Sequence, residues 1–144
     1  MKNVVIAAAL VFAVATAAAQ APTWLTVVGD PGNALADTVE VDAASAVAFE
    51  SMRLVKLRVN RAKARNAFDG LPFQSYYSTA MFDCTQMTAW HRSVTLFDKP
   101  LWRGQMRMHE YVERDGRDLA FAGMAENPRD RLIKAACAMT LQDR

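Results

Sequence analysis

A chain of 144 residues is long enough for one domain with a modest hydrophobic core, and a second domain is not expected. Seventeen basic against 15 acidic side chains give a net charge of +2, too small to name a partner by itself. With 52% hydrophobic residues and no low-complexity or repeated segment, the composition is that of a folded globular protein.

The chain begins with Met1-Lys2-Asn3 and an apolar run from Val4 to Ala19, the charged, apolar and small-residue layout of a secretory signal peptide. A membrane-spanning helix would need roughly 20 apolar residues with anchoring flanks. Ala17 and Ala19 place the cut after Ala19; a cut after Ala21 would leave Pro22 directly behind the scissile bond. The sequence therefore predicts a signal peptide over residues 1–19 and one mature domain over 20–144, exported to the periplasm or the cell surface. No transmembrane segment would remain after cleavage, and nucleic acid is not an expected partner.

Thr23 to Val28 is rich in β-branched residues and ends at Gly29-Asp30-Pro31-Gly32-Asn33, so it reads as a first strand closed by a turn. Thr38 to Asp42 alternates polar and apolar, which predicts a half-buried second strand with Val39 and Val41 inward. Ala43-Ala44-Ser45 reads as a short capped turn. Arg53 to Asn60 forms a third strand with Val55, Leu57 and Val59 on one face and Lys56 and Arg58 on the other, followed by an exposed connection from Arg61 to Pro72.

Phe73 to Cys84 is apolar on both faces and predicts a central strand, with Phe73, Tyr77 and Met81 opposite Tyr76, Ala80, Phe82 and Cys84. Met87 to Phe97 continues as a hairpin partner with Trp90, Val94 and Leu96 on a common face. Gln105 to Glu113 reads as a weaker strand ended by Arg114-Asp115-Gly116-Arg117, and Leu119 to Met124 as an edge strand. From Asn127 the period changes. Asn127 can cap, Pro128 suits the first helical position, and Asp130 favours the first turn. Ile133, Cys137 and Leu141 then share one stripe with Leu132 and Ala136 beside it. The fold class that follows is α+β: a meander-like antiparallel sheet of about five to seven strands with a C-terminal helix packed on one face.

The only two cysteines, Cys84 and Cys137, both lie in the exported portion, so they are expected to be joined. A loop of roughly 50 residues closed in this way contributes about 4 kcal/mol in the chain-entropy picture.

Trp24 near the mature start, Val41-Asp42 closing the second strand, Tyr77-Ser78 leading into Asp83-Cys84, and the final Ala136-Cys137 resemble the surface-adhesin protein E family of proteobacterial exported proteins. The resemblance spans most of the mature chain. It departs after Phe97, where Asp98 to Gly104 stands in place of a Gly-rich stretch. The resemblance implies an antiparallel sheet with a terminal helix and, for some members, binding to host matrix or serum proteins; it supplies no catalytic motif.

Chemistry-bearing candidates are few. Met106, Met108 and His109 offer soft ligands, but on a strand the methionines face one way and His109 the other, so no metal site is expected and the methionines read as core filling. His91 reads as an ordinary, partly exposed histidine. No nucleophile elbow or His-Glu-x-x-His helix occurs, so no catalytic residue and no cofactor is assigned. Trp24, Trp90 and Tyr76 fit core positions, whereas Trp102 and Arg103, in a loop after Pro100, are candidates for an interface anchor. Lys56, Arg58, Arg61, Lys63 and Arg65 form a basic strip without an acidic residue, the candidate for contact with an anionic macromolecule. The sequence thus favours an adhesin-like binding module for a host or envelope macromolecule. A periplasmic structural or accessory domain without a small-molecule site stands second, and a small periplasmic enzyme third.

Overall fold

β-Branched and aromatic residues at period two dominate the chain up to Glu110, and in the computed structural model, which describes residues 21–112 and 117–139, they form an antiparallel meander. Its strands are β1 (Trp24–Val28), β2 (Thr38–Phe49), β3 (Met52–Asn66), β4 (Pro72–Asp83), β5 (Thr88–Phe97) and β6 (Met106–Glu110). They pair in chain order in one six-stranded sheet, so β3 and β4 are central. The single described helix, α1 (Arg129–Ala138), packs on those two strands, giving the α+β architecture that the sequence predicts. The predicted leader, Glu113 to Gly116 and Leu141 lie outside the described residues.

The sheet is more continuous than the sequence suggests. The expected turn at Ala43-Ala44-Ser45 is a bulge inside β2, where the register with β3 jumps between Asp42 and Val47. Its local hydrogen bonds are those of a turn: the Asp42 carboxylate accepts from the Ala44 amide and the Ser45 hydroxyl donates to the Asp42 carbonyl. Residues 61–66, expected as a loop, extend β3, which re-pairs from Arg65 opposite Phe73 after a second register jump.

A third bulge separates Thr79 opposite Ser93 from Ala80 opposite His91, leaving Arg92 as the extra residue in β5. Because a single inserted residue inverts the alternation, Trp90 pairs with Met81 on one face while Val94 and Leu96 pair with Ser78 and Tyr76 on the other. The common face expected for Trp90, Val94 and Leu96 is therefore corrected. Leu119 to Met124 is likewise not a strand. Only Asp118 bridges to Trp90, and the chain then turns through positive φ at Phe121 and Gly123, dropping Leu119, Phe121 and Met124 into the core.

Val39, Val41, Val55, Leu57, Val59, Ala80 and Phe82 meet Leu132, Ile133 and Ala136 of α1 across one face of the sheet. A fully buried side chain such as Phe82 contributes about 1.5–3 kcal/mol by leaving water. The helix starts one residue later than the sequence suggests, with Pro128 and not Asn127 at the cap position; Asn127 lies just before it, its side-chain oxygen accepting from the Arg129 amide while its amide nitrogen donates to the Ala120 carbonyl. Cys84, immediately after β4, is bonded to Cys137 in the last turn of α1 with Cα atoms 5.5 Å apart, so the helix is pinned to the sheet it covers.

Candidate functional site on the open sheet face

Antiparallel pairing lines up side chains across strands, and two adjacent rows on the face away from α1 make a groove. In the first row Trp24 lies opposite Asp42, Asp42 opposite Lys56, Lys56 opposite Thr79, and Thr79 opposite Ser93. The second runs from Glu40 through Arg58 and Tyr77 to Thr95. Together with Pro22, side chains of both rows line a cavity of about 470 Å³.

One end of the groove is held by an aromatic and cation cluster. The Arg58 guanidinium lies between the rings of Trp24 and Trp102, 4.4 and 4.3 Å from their centroids. It also grips the Glu40 carboxylate at two points, 2.7 and 3.0 Å. Glu40 is buried, so this bidentate pair is what makes its charge tolerable there. Tyr77 stands among Trp24, Phe97 and Trp102 at centroid distances of 6.2, 5.8 and 5.7 Å.

Trp102 is brought over the sheet by a loop fastened to buried polar groups. Fully buried Asn60 accepts from the Leu101 amide, Ser75 accepts from the Trp102 amide and donates to the Lys99 carbonyl, and the indole N–H donates to the Tyr76 carbonyl. Leu101 and Trp102 both hold φ near +56°, a conformation that non-glycine residues keep only when such contacts over-determine it.

The basic strip is divided by these contacts. Lys56 is exposed at the groove and Arg58 is the stacked, ion-paired residue just described. Arg61 is buried, paired with Asp37 at 2.9 Å and donating to the Ala122 carbonyl, so it is not part of an exposed connection. Lys63 is exposed without an ion-pair partner among the described residues, and Arg65, also exposed, lays its guanidinium against Gly123, where an added Cβ would collide with it. Of the two loop candidates, Trp102 folds back onto the sheet while Arg103 remains exposed.

The other polar candidates are dispersed. Met106 and Met108 are 67% and 69% exposed on the edge strand, not core filling, because no strand among the described residues lies beyond β6. His109 packs between Phe68 and Tyr111. His91 shares a 2.6 Å hydrogen bond with the Ser78 hydroxyl, and burial pushes its pKa down to about 4, so the ring is neutral. Among the described residues, no group of three or more His, Cys, Asp or Glu side chains could hold a metal ion, and no helix is long and apolar enough to cross a membrane.

The groove itself escaped the sequence reading. Period-two hydroxyl residues, Tyr77 and Thr79 in β4 and Ser93 and Thr95 in β5, were its available signal, but their alignment depends on the register set by the Arg92 bulge. A family model described as surface-adhesin protein E matches residues 24–138. No curated protein matches the chain.

Proposed function

The chain belongs to the surface-adhesin protein E family, and from that premise we propose that it is an exported, adhesin-like binding module that meets a host or envelope macromolecule through the open face of its sheet. The observation that carries this reading is the groove between Trp24, Lys56, Tyr77 and Thr95, on a face that α1 leaves uncovered while the disulfide holds α1 on the opposite side. Aromatic surface beside unpaired polar groups is the composition of recognition sites.

Binding without turnover fits the placement of the hydrogen-bonded serine–histidine pair found among the described residues. Ser78 borders the groove but is 3% exposed, and its hydroxyl is taken up by buried His91 on the helix-covered side of the sheet. The division of the basic strip favours the groove over that strip as the contact surface, since Arg58 and Arg61 already neutralise Glu40 and Asp37.

Beads coated with the mature chain from Gln20 to Arg144 should adhere to cultured epithelial cells or to immobilised matrix proteins. Thr95→Arg, which fills the groove, should remove most of that adhesion and Lys63→Glu should leave it. Loss with Lys63→Glu and persistence with Thr95→Arg would return the contact to the basic strip. Intact mass of periplasmic or surface material should correspond to residues 20–144 less two hydrogens; full-length chain in the cytoplasm would refute export.

A further inference from the structure

We propose that the groove binds a neutral glycan, a deepening that rests on the open face being the contact surface. Its floor presents the hydroxyls of Thr79, Ser93 and Thr95, and none of the three has a side-chain hydrogen bond within the described residues. Free hydroxyls that both donate and accept are matched by a ligand whose own groups do the same, which is the chemistry of a polyol.

The charge at the site points the same way. Asp42 and Lys56 are directly opposite each other across β2 and β3, yet no ion pair joins them. Asp42 is held by the Thr23 and Ala44 amides instead. Lys56 is the exposed donor of the cleft, while Asp42, 6% exposed and with Oδ1 taken by two amides, chiefly balances its charge, so the cleft sums to zero. A sulfated or phosphorylated chain would meet the Asp42 carboxylate as a like charge, which disfavours a polyanion here.

Trp24 and Tyr77 provide the remaining requirement, an apolar wall against which the C–H face of a sugar ring can lie while its rim of hydroxyls reaches the floor. The wall is fixed before any ligand arrives, because the Glu40–Arg58 pair and Trp102 hold both rings, so little ordering entropy is lost on binding. A cavity of about 470 Å³ is within the range of small-ligand sites, which span roughly 300–1,000 Å³.

The mature chain is titrated by tryptophan fluorescence and calorimetry with trisaccharides of glucose, galactose, mannose and N-acetylglucosamine, and with heparin. At least one neutral trisaccharide should saturate. Ser93→Ala with Thr95→Val, which deletes two hydroxyls at nearly constant shape, should weaken it at least tenfold with an unchanged melting curve, and Lys63→Glu should have no effect. Binding of heparin alone, saturation by no trisaccharide, or binding indifferent to the double variant would overturn the proposal. If Thr95→Arg beads stop adhering while no trisaccharide binds, the glycan assignment falls and the open-face contact stands; if those beads adhere undiminished, the contact reading falls and takes the glycan with it.

Discussion

The two faces of the sheet are made by the same strands, residue by alternate residue, and they are put to opposite use. On the helix side Val55, Leu57 and Val59 of β3 and Ala80 and Phe82 of β4 are sealed from water, while on the other side Lys56, Tyr77, Thr79 and Thr95 line an accessible groove. The apolar cohesion is thus concentrated in one layer, while the face proposed for recognition is held at one end by the Glu40–Arg58 pair and its flanking rings and is open along the groove. The helix is too short to stand alone, since isolated helices below about 12–15 residues are marginal, so its position depends on its buried stripe and the bond to Cys84. That separation leaves the open face free to change without unfolding the protein.

The largest effect comes from placing a charge on the sealed face. Val94 is 6% exposed among the core residues, on a small cavity whose lining holds no carboxylate and includes Arg117, so Val94→Arg would put a guanidinium against apolar and aromatic walls and a like charge. The loss should be about 4 kcal/mol or more, measured by urea unfolding or seen as failure to recover folded protein. A variant that folds with near-wild-type stability would mean that the two faces are not distinct.

Next in size is the staple. Replacing Cys84 and Cys137 by serine releases a loop of 53 residues and should cost about 2–4 kcal/mol. Reductant should reproduce the shift in the wild type and do nothing to the variant. The glycan groove, on the opposite side, should keep its ligand wherever the reduced protein remains folded.

How far this division can be read from the sequence depends on whether the alternation is interrupted. Val39, Val41, Val55, Leu57 and Val59 lie on uninterrupted runs, and their inward face, like the helix stripe and the cysteine pair, is legible directly. Trp90 is misassigned because one extra residue, Arg92, inverts the pattern, and a bulge has no fixed residue type to announce it. Arg61 reads as solvated because its partners, Asp37 and the Ala122 carbonyl, are 24 and 61 positions away. The same remoteness hides the clamp: Glu40, Arg58, Trp24 and Trp102 are unrelated until three strands and a loop bring them together.

A pH dependence of intermediate size tests the sealed side from within. His91 has its pKa lowered from the ordinary 6.5 to about 4 by burial, so the unfolded chain takes up a proton first as pH falls. Stability from this group is complete above pH 6.5 and is lost progressively towards pH 4. Between pH 7 and 5 the loss should be about 2 kcal/mol, and His91→Gln should flatten that part of the profile. A wild-type curve no steeper than the variant's would show that the imidazole is hydrated.

The smallest effect should come from the residue beside Val94. Thr95 points the opposite way, into the groove, where its hydroxyl has no hydrogen-bond partner among the described residues and an arginine can extend over the surface towards water. Thr95→Arg should therefore change stability by no more than about 0.5 kcal/mol, the ordinary range for surface substitutions, while abolishing recognition. Neighbouring positions in one strand, given the same side chain, would then differ by several kcal/mol in folding, with recognition lost at Thr95 while the fold is kept. Should Thr95→Arg destabilise the fold as Val94→Arg does, the open face would have to be covered by something that contributes to folding, and its groove could not be the contact surface.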